Sequence, residues 1–268
     1  MAPEKSPEKN KDSWNPEQYG KFKNQRSAPF YDLMHLLQPV PESQVIDLGC
    51  GTGELTAHLH AYIEASSTLG LDSSDEMLRA SSLFIKPGLS FEKGQIESWS
   101  AAAEYDVVFS NAALQWVGDH RALFARLRNA LRARGQLAVQ MPMNHDYPTH
   151  LIASAMSQEP KWKAKLKGQA YDKFSSLLSV EDYAALLFKL GFEEQSVLLK
   201  VYPQVIESRD GVVEWVRGSM LTYFQSRLTP DDFADFLAEF QERLFAVLPD
   251  ERPFFYPFKR VLMWARLP

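Results

Sequence analysis

The chain of 268 residues has one cysteine, no surplus of basic residues and no long hydrophobic run, and each lack removes a class of protein. The single thiol, Cys50, has no partner for an internal disulfide, so the core has to hold the fold together, as in a reducing compartment. Lys and Arg number 29 against 34 Asp and Glu, a net charge of −5, which leaves no basic excess to neutralise nucleic-acid phosphates. No stretch approaches the ~18 consecutive apolar residues of a membrane span, and the N-terminus lacks the apolar segment of a secretory signal. His58 and His60 stand two apart, hence on different helix faces, and no acid or thiol completes a metal set. A cytoplasmic protein that binds neither nucleic acid nor membrane and carries no metal is expected.

What is present is an ordinary globular composition, 45% hydrophobic, following a polar, proline-bearing stretch over residues 1–13 that is expected to be disordered. The organising stretch is Val45-Ile46-Asp47-Leu48-Gly49-Cys50-Gly51-Thr52-Gly53, an apolar run ending in an acid and passing into a glycine-rich turn. Glycines at alternate positions permit φ > 0 and leave no Cβ to block a ligand, as in a buried strand whose end meets one. The dinucleotide fingerprint requires a glycine where Glu54 stands, and a phosphate loop requires Gly-Lys-Ser/Thr, so neither phosphate motif is present. Asp47 beside the turn repels a pyrophosphate and attracts an ammonium or sulfonium, so the expected ligand carries positive charge. Cys50, with no histidine nearby in sequence to activate it, reads as a small filler between glycines.

Along the chain, Trp14 to Leu37 reads as an irregular aromatic start and a short helix, either a lid or a cover for the sheet. Strands are predicted at 44–48, 68–71, 89–92, 105–110 and 136–141, alternating with helices near 53–63, after Ser73-Ser74, and at 120–131. The first of these helices is expected to turn Leu55, Leu59 and Tyr62 to one side. The alternation predicts a doubly wound, mostly parallel α/β sheet. After Met141 the pattern changes: a loop-and-helix insertion over 142–178, a capped helix at 179–190, a strand at 192–205, two amphipathic helices at 208–222 and 229–248, and a final strand at 258–267. One domain over 14–268 with helical cover at 142–178 and 206–257 is therefore expected. The phenylalanines of that cover, Phe224, Phe233, Phe236, Phe240, Phe245, Phe254 and Phe255, are assigned to core rather than to a dimer face, and the protein is taken as a monomer or weak homodimer.

The Asp-Leu-Gly-Cys-Gly-Thr-Gly segment followed by an acid at Asp72 resembles the first two motifs of class I S-adenosylmethionine-dependent methyltransferases. The resemblance implies a seven-stranded Rossmann-like sheet. It also implies cofactor contacts from Arg26, Asp47, Gly49, Cys50, Gly51, Asp72, Ser73, Met77, Gln95, Ile96 and Asn111. An acid about 20 residues past a glycine turn suits a ribose. Met77 is either core or a flank for adenine, Arg26 either a ligand-binding guanidinium or a surface residue. Gln95 stands where the family usually has an acid that accepts from the adenine amino group; its carbonyl accepts without charge assistance.

Trp14-Asn15-Pro16, the blocks FSNAALQWVGDHRALF and QLAVQMP, and Pro148-Thr149-His150 are similar to the trans-aconitate methyltransferase family, which esterifies a small-molecule carboxylate. A carboxylate with a pKa near 4 is already ionised at neutral pH, so that reaction requires no general base. The substrate-binding candidates are Gln115, Trp116, Asn144, His145, Arg217 and Lys259, with Trp116 equally suited to packing. One departure from the family stands out: Thr222 occupies about the position where the resemblance implies an arginine, and if that arginine binds a substrate carboxylate, its loss points to a less charged acid. Rival readings are transfer to a hydroxyl or amine with His145 as base, transfer to a carrier-bound acid docked on Arg126, Arg128 and Arg132, and a non-catalytic scaffold.

Overall fold

The computed structural model describes residues 23–172 and 177–268, with side chains from Ser27 onward outside the gap. The stretch 1–13, Trp14-Asn15-Pro16 and the side chain of Arg26 lie outside the described residues. The sheet is built from β1 (Gln44–Leu48), β2 (Ser67–Asp72), β3 (Leu89–Lys93), β4 (Tyr105–Asn111), β5 (Leu131–Pro142), β6 (Glu194–Ile206) and β7 (Phe254–Arg266). Their order across the sheet is β3-β2-β1-β4-β5-β7-β6. The first five strands are parallel, and β7 runs antiparallel to both its neighbours. This is the seven-stranded, mostly parallel Rossmann-like sheet expected of the family. The order reverses between β1 and β4, and such a switch point opens a crevice at the carboxyl ends of the strands.

Alternation along each strand divides the core. Val45, Val107, Phe109, Ala138, Leu262 and Trp264 face α1 (Lys23–Met34) and α2 (Glu54–Tyr62). Ile46, Leu48, Val108, Leu137, Val139 and Met263 face α4 (His120–Ala130) and α7 (Val180–Lys189), whose Phe124, Leu127, Tyr183 and Leu187 complete that layer. Between them α3 (Asp75–Ser81) starts at Ser74, whose hydroxyl accepts the Met77 N–H. In α2, Leu59 is buried as the spacing implies, but Tyr62 is 47% exposed; it leans out at the helix end against His35.

A third core lies in the cap, formed by α5 (Pro148–Gln158), α6 (Pro160–Lys165), α8 (Asp210–Arg217), α9 (Thr222–Gln225) and α10 (Pro230–Val247). The Phe224 and Phe236 rings stack at 4.2 Å, with Trp162 edge-on to Phe236 at 5.0 Å. Phe254, Tyr256 and Phe258 at the start of β7 belong to this cap core, while Val261, Met263 and Ala265 of the same strand belong to the sheet core.

Three sequence expectations are corrected. The helix predicted over 208–222 ends at Arg217 and resumes as α9, because Gly218 follows its last turn. β7 begins at Phe254 rather than 258, so the second stretch of cover stops before it, and Phe255, facing outward from the ladder, is exposed instead of core. β5 begins at Leu131 rather than Gln136; its pairing jumps from Tyr105↔Leu131 to Val107↔Gln136 as Arg132 to Gly135 loop out, held by the Arg134 N–H on the Pro268 carbonyl.

Candidate active site

The crevice between β1 and β4 is a cavity of about 540 Å³. Of the predicted cofactor contacts, Asp47, Gly49, Cys50, Gly51, Asp72, Ser73, Met77, Gln95, Ile96 and Asn111 all line it, with Trp116 from the substrate candidates. Gln115, Asn144, His145, Arg217 and Lys259 are not among the lining residues.

The glycine turn divides its labour in a way the motif does not reveal. Gly49, Gly51 and Gly53 all have positive φ, of 84°, 56° and 76°. A Cβ on Gly49 would come 2.2 Å from the Ala113 Cβ, and one on Gly53 would come 2.7 Å from Phe91 and Ser81. These two glycines let protein pack on protein. Gly51 alone of the three has nothing within 4 Å of its would-be Cβ, so it is the one whose bare backbone is left open to the cavity.

Asp72 braces this turn from β2: its Oδ2 accepts the Gly51 N–H at 2.8 Å and its Oδ1 accepts the Ser74 N–H at 2.9 Å. Asp47 sits at the carboxyl end of β1, 3% exposed, accepting from the Thr56 hydroxyl at 2.6 Å. Burial outweighs that hydrogen bond, and with Asp72 nearby its carboxyl is pushed up to about 7. The same burial and the same two acids push the Cys50 thiol well up, so it stays a neutral thiol as its place between glycines suggests. Glu97 adds a third carboxyl, and among the described lining residues there is no Lys, Arg or His. The field in the cavity favours a cation.

Beyond β4 the chain passes through Ala112 at φ 54°, a strained conformation for a residue with a Cβ. Gln115 holds it there by donating Nε2 to the Ala112 carbonyl at 2.7 Å, which places Ala113 on Gly49 and turns Trp116 to the cavity. Asn144 is committed to architecture: its Oδ1 accepts the Lys259 N–H at 2.6 Å, and its Nδ2 reaches the Tyr256 hydroxyl at 3.5 Å. The Lys259 ammonium pairs with Asp146, and Arg217 pairs with Glu214 at 3.2 Å. His150, beside His145 and Asp146, is held neutral by burial, its pKa lowered to about 4. Among the described residues no cluster of three potential metal ligands occurs, and no helix is long and apolar enough to cross a membrane.

Sequence reasoning missed Phe30, Thr56, Ala113 and Val117 as parts of this site. Thr56 carried a usable signal, since the first turn of a helix leaving a glycine turn points back at the strand end. Thr222 was noted for its identity and is found on the cavity wall, from α9.

The cavity suits an adenosylated sulfonium: a bare backbone face at Gly51, a braced carboxylate at Asp72, and acids with no cation among the described lining residues. Residues 45–135 match a family model described as a methyltransferase domain. A trans-aconitate 2-methyltransferase of Deinococcus radiodurans is 43% identical over 96% of this chain and 99% of its own. Another of that name, from Rhizobium meliloti, is 34% identical over 88% of this chain and 91% of its own. The solved structure of YcgJ from Bacillus subtilis, 15% identical, superposes with a TM-score of 0.61 over 90% of this chain and 98% of that one, a likeness of fold. The chain belongs to the class I S-adenosylmethionine-dependent methyltransferases, in the family of the trans-aconitate 2-methyltransferases.

Proposed function

We propose that this enzyme esterifies a carboxylate of a small organic acid, trans-aconitate or a related acid. The observation that carries the reading is the character of the cavity wall. Among the described lining residues there is no imidazole, amine or phenol to take a proton from an acceptor. A carboxylate acceptor, ionised at neutral pH, has no proton to lose, whereas a hydroxyl or an ammonium would have to give one to a carboxyl of the lining. The relatives that match over nearly the whole chain carry the same substrate in their names.

S-adenosylmethionine, when bound, supplies a methyl group on a positively charged sulfur. The residues suited to hold it are Asp72, Ser73, Met77, Gln95 and Ile96 for the adenosine, with Gly51 and Asp47 at the cationic end. Trp116, Val117 and Thr222 close the other side and keep water from the reacting groups. Catalysis on this reading is orientation, which can supply roughly 7–11 kcal/mol. Thr222 on the cavity wall, where the family resemblance leads one to expect an arginine, favours a related acid with fewer charges than the tricarboxylate trans-aconitate itself.

The test is turnover with S-adenosylmethionine and a panel of mono-, di- and tricarboxylic acids, with ester formation read by mass spectrometry. Ester on at least one acid is expected. Methylation of amines or phenols with none of the acids would overturn the proposal.

A further inference from the structure

Two orphaned amide atoms, a donor and an acceptor, lie on neighbouring residues of β4 and β5. Asn111 lines the cavity, and its Oδ1 is buried without a hydrogen-bond partner. Its neighbour in the parallel ladder is Gln140, fully buried, whose Nε2 also has no partner. Register neighbours in a parallel pair stand about 4.8 Å apart and point to the same face. The face here is that of Ala138 and Leu262. On the far side of Gln140, its Oε1 accepts from Arg260 Nη1 at 3.3 Å, and Arg260 is itself only 6% exposed, over the Phe258 ring at 4.7 Å.

These contacts have a direction. A guanidinium only donates, so Gln140 has to show it the oxygen and keep the nitrogen for the other side. That nitrogen calls for an oxygen, and the one beside it in the ladder that also lacks a partner is Asn111 Oδ1, which a small rotation of either side chain would bring to it. The Asn111 amide nitrogen is then left to the cavity. We propose that Arg260, Gln140 and Asn111 form a relay that fixes the Asn111 amide with its N–H groups toward the cavity, so that this wall receives a ligand carboxylate and rejects an ammonium. The inference rests on the carboxylate reading above and gives it a specificity device: Asn111 touches the ligand, and Gln140 and Arg260 are positioning residues. The carboxylate received belongs either to the acceptor acid or to the methionine end of the cofactor.

Gln140→Glu inverts the relay. Glutamate keeps its bond to Arg260 but offers Asn111 a second oxygen, which draws the Asn111 nitrogen inward and turns its oxygen to the cavity. The expected result is a loss of at least about tenfold in kcat/KM for the acid, mainly in KM, with unchanged affinity for S-adenosylhomocysteine. A tenfold loss in S-adenosylhomocysteine affinity instead would support the relay and assign the carboxylate to the cofactor. Gln140→Met, which removes both amide atoms and leaves Asn111 free to turn, is expected to cost only about two- to threefold. A purely structural role for Gln140 predicts the reverse order, with Gln140→Met the worse variant, and that order would overturn the relay. So would both quantities staying within threefold of wild type in Gln140→Glu. If Gln140→Glu does not fold, Asn111→Asp on the cavity wall decides by the same thresholds. Wild-type protein that binds S-adenosylhomocysteine but esterifies no acid would overturn the proposed reaction, and the relay is then judged on the variants' S-adenosylhomocysteine affinities.

Discussion

Around the glycine turn, the described residues gather carboxyl groups and no cation: Asp47, Asp72 and Glu97 share one cavity. In the cap they are met one by one. Arg243 bridges Glu159 and Glu239, Lys161 reaches Glu239 at 2.9 Å, and Lys165 pairs with Asp232. The cap's charges are already answered within the chain, at partly exposed positions where ion pairs contribute little. Asp47, by contrast, is buried beside the half-buried Asp72 with no cation among the described lining residues, an unfavourable state that a cationic ligand relieves. The difference separates what the two regions do: one keeps electrostatic energy for binding, the other is held by its aromatic core.

The contrast is broken most severely by opening the cap core. Phe236→Ala removes a fully buried ring stacked on Phe224 and facing Trp162, and is expected to cost about 3–5 kcal/mol in denaturant unfolding. S-adenosylhomocysteine affinity of the folded fraction should hold. Next come two glycines of the turn. Gly49→Ala meets Ala113 at 2.2 Å and strains φ, so a loss of about 3 kcal/mol in stability is expected together with loss of cofactor binding. Gly51→Ala has open space and bears only the strain, about 1–2 kcal/mol, yet its methyl enters the ligand's face and should weaken S-adenosylhomocysteine binding by more than its effect on stability. Equal behaviour of the two alanine variants in both assays would refute the division of roles within the turn.

A subtler probe is pH. The folded chain holds a proton on Asp47 up to about 7, which the unfolded chain releases from the ordinary carboxyl value of 3.8 upward. Stability of the ligand-free protein should therefore fall as pH rises toward 7 and level off above it. Affinity for the cationic cofactor should move the opposite way, tightening up to that pH. Asp47→Asn should flatten both profiles in thermal unfolding and in calorimetric titration. The smallest effect expected is that of Arg243→Ala: despite two ion pairs it lies on a partly exposed helix face, and a change under about 1 kcal/mol in unfolding is expected, with no change in binding.

The two regions were also unequally legible in the sequence. β1 was read at its observed bounds, Gln44–Leu48, because a short apolar run ending in Asp-Leu-Gly leaves little choice of register. The lining residues Asp72, Met77 and Gln95 follow from the resemblance to the class I methyltransferases, and the chain order of a doubly wound sheet is what brings them to one crevice. In the cap, Arg217 and Lys259 were singled out by charge alone, and charge does not tell whether a neighbour already answers it; Glu214 and Asp146 do. Gln140 and Arg260 went unremarked because they lie on different strands, and their meeting depends on the antiparallel insertion of β7, a tertiary event with no local signature.

That insertion has a mechanical consequence. β7 runs unbroken from Phe254 to Arg266, rooted at one end among the cap aromatics and at the other in the central sheet, and it is laddered along its whole length to β6. The cap is thus cantilevered from the sheet on a two-stranded beam. Any hinged swing of the cap as a body bends that beam between Phe258 and Val261, at the level of Arg260. Traffic of substrate and product is therefore easier through its free edges, where α9 brings Thr222 to the cavity, than by lifting the whole.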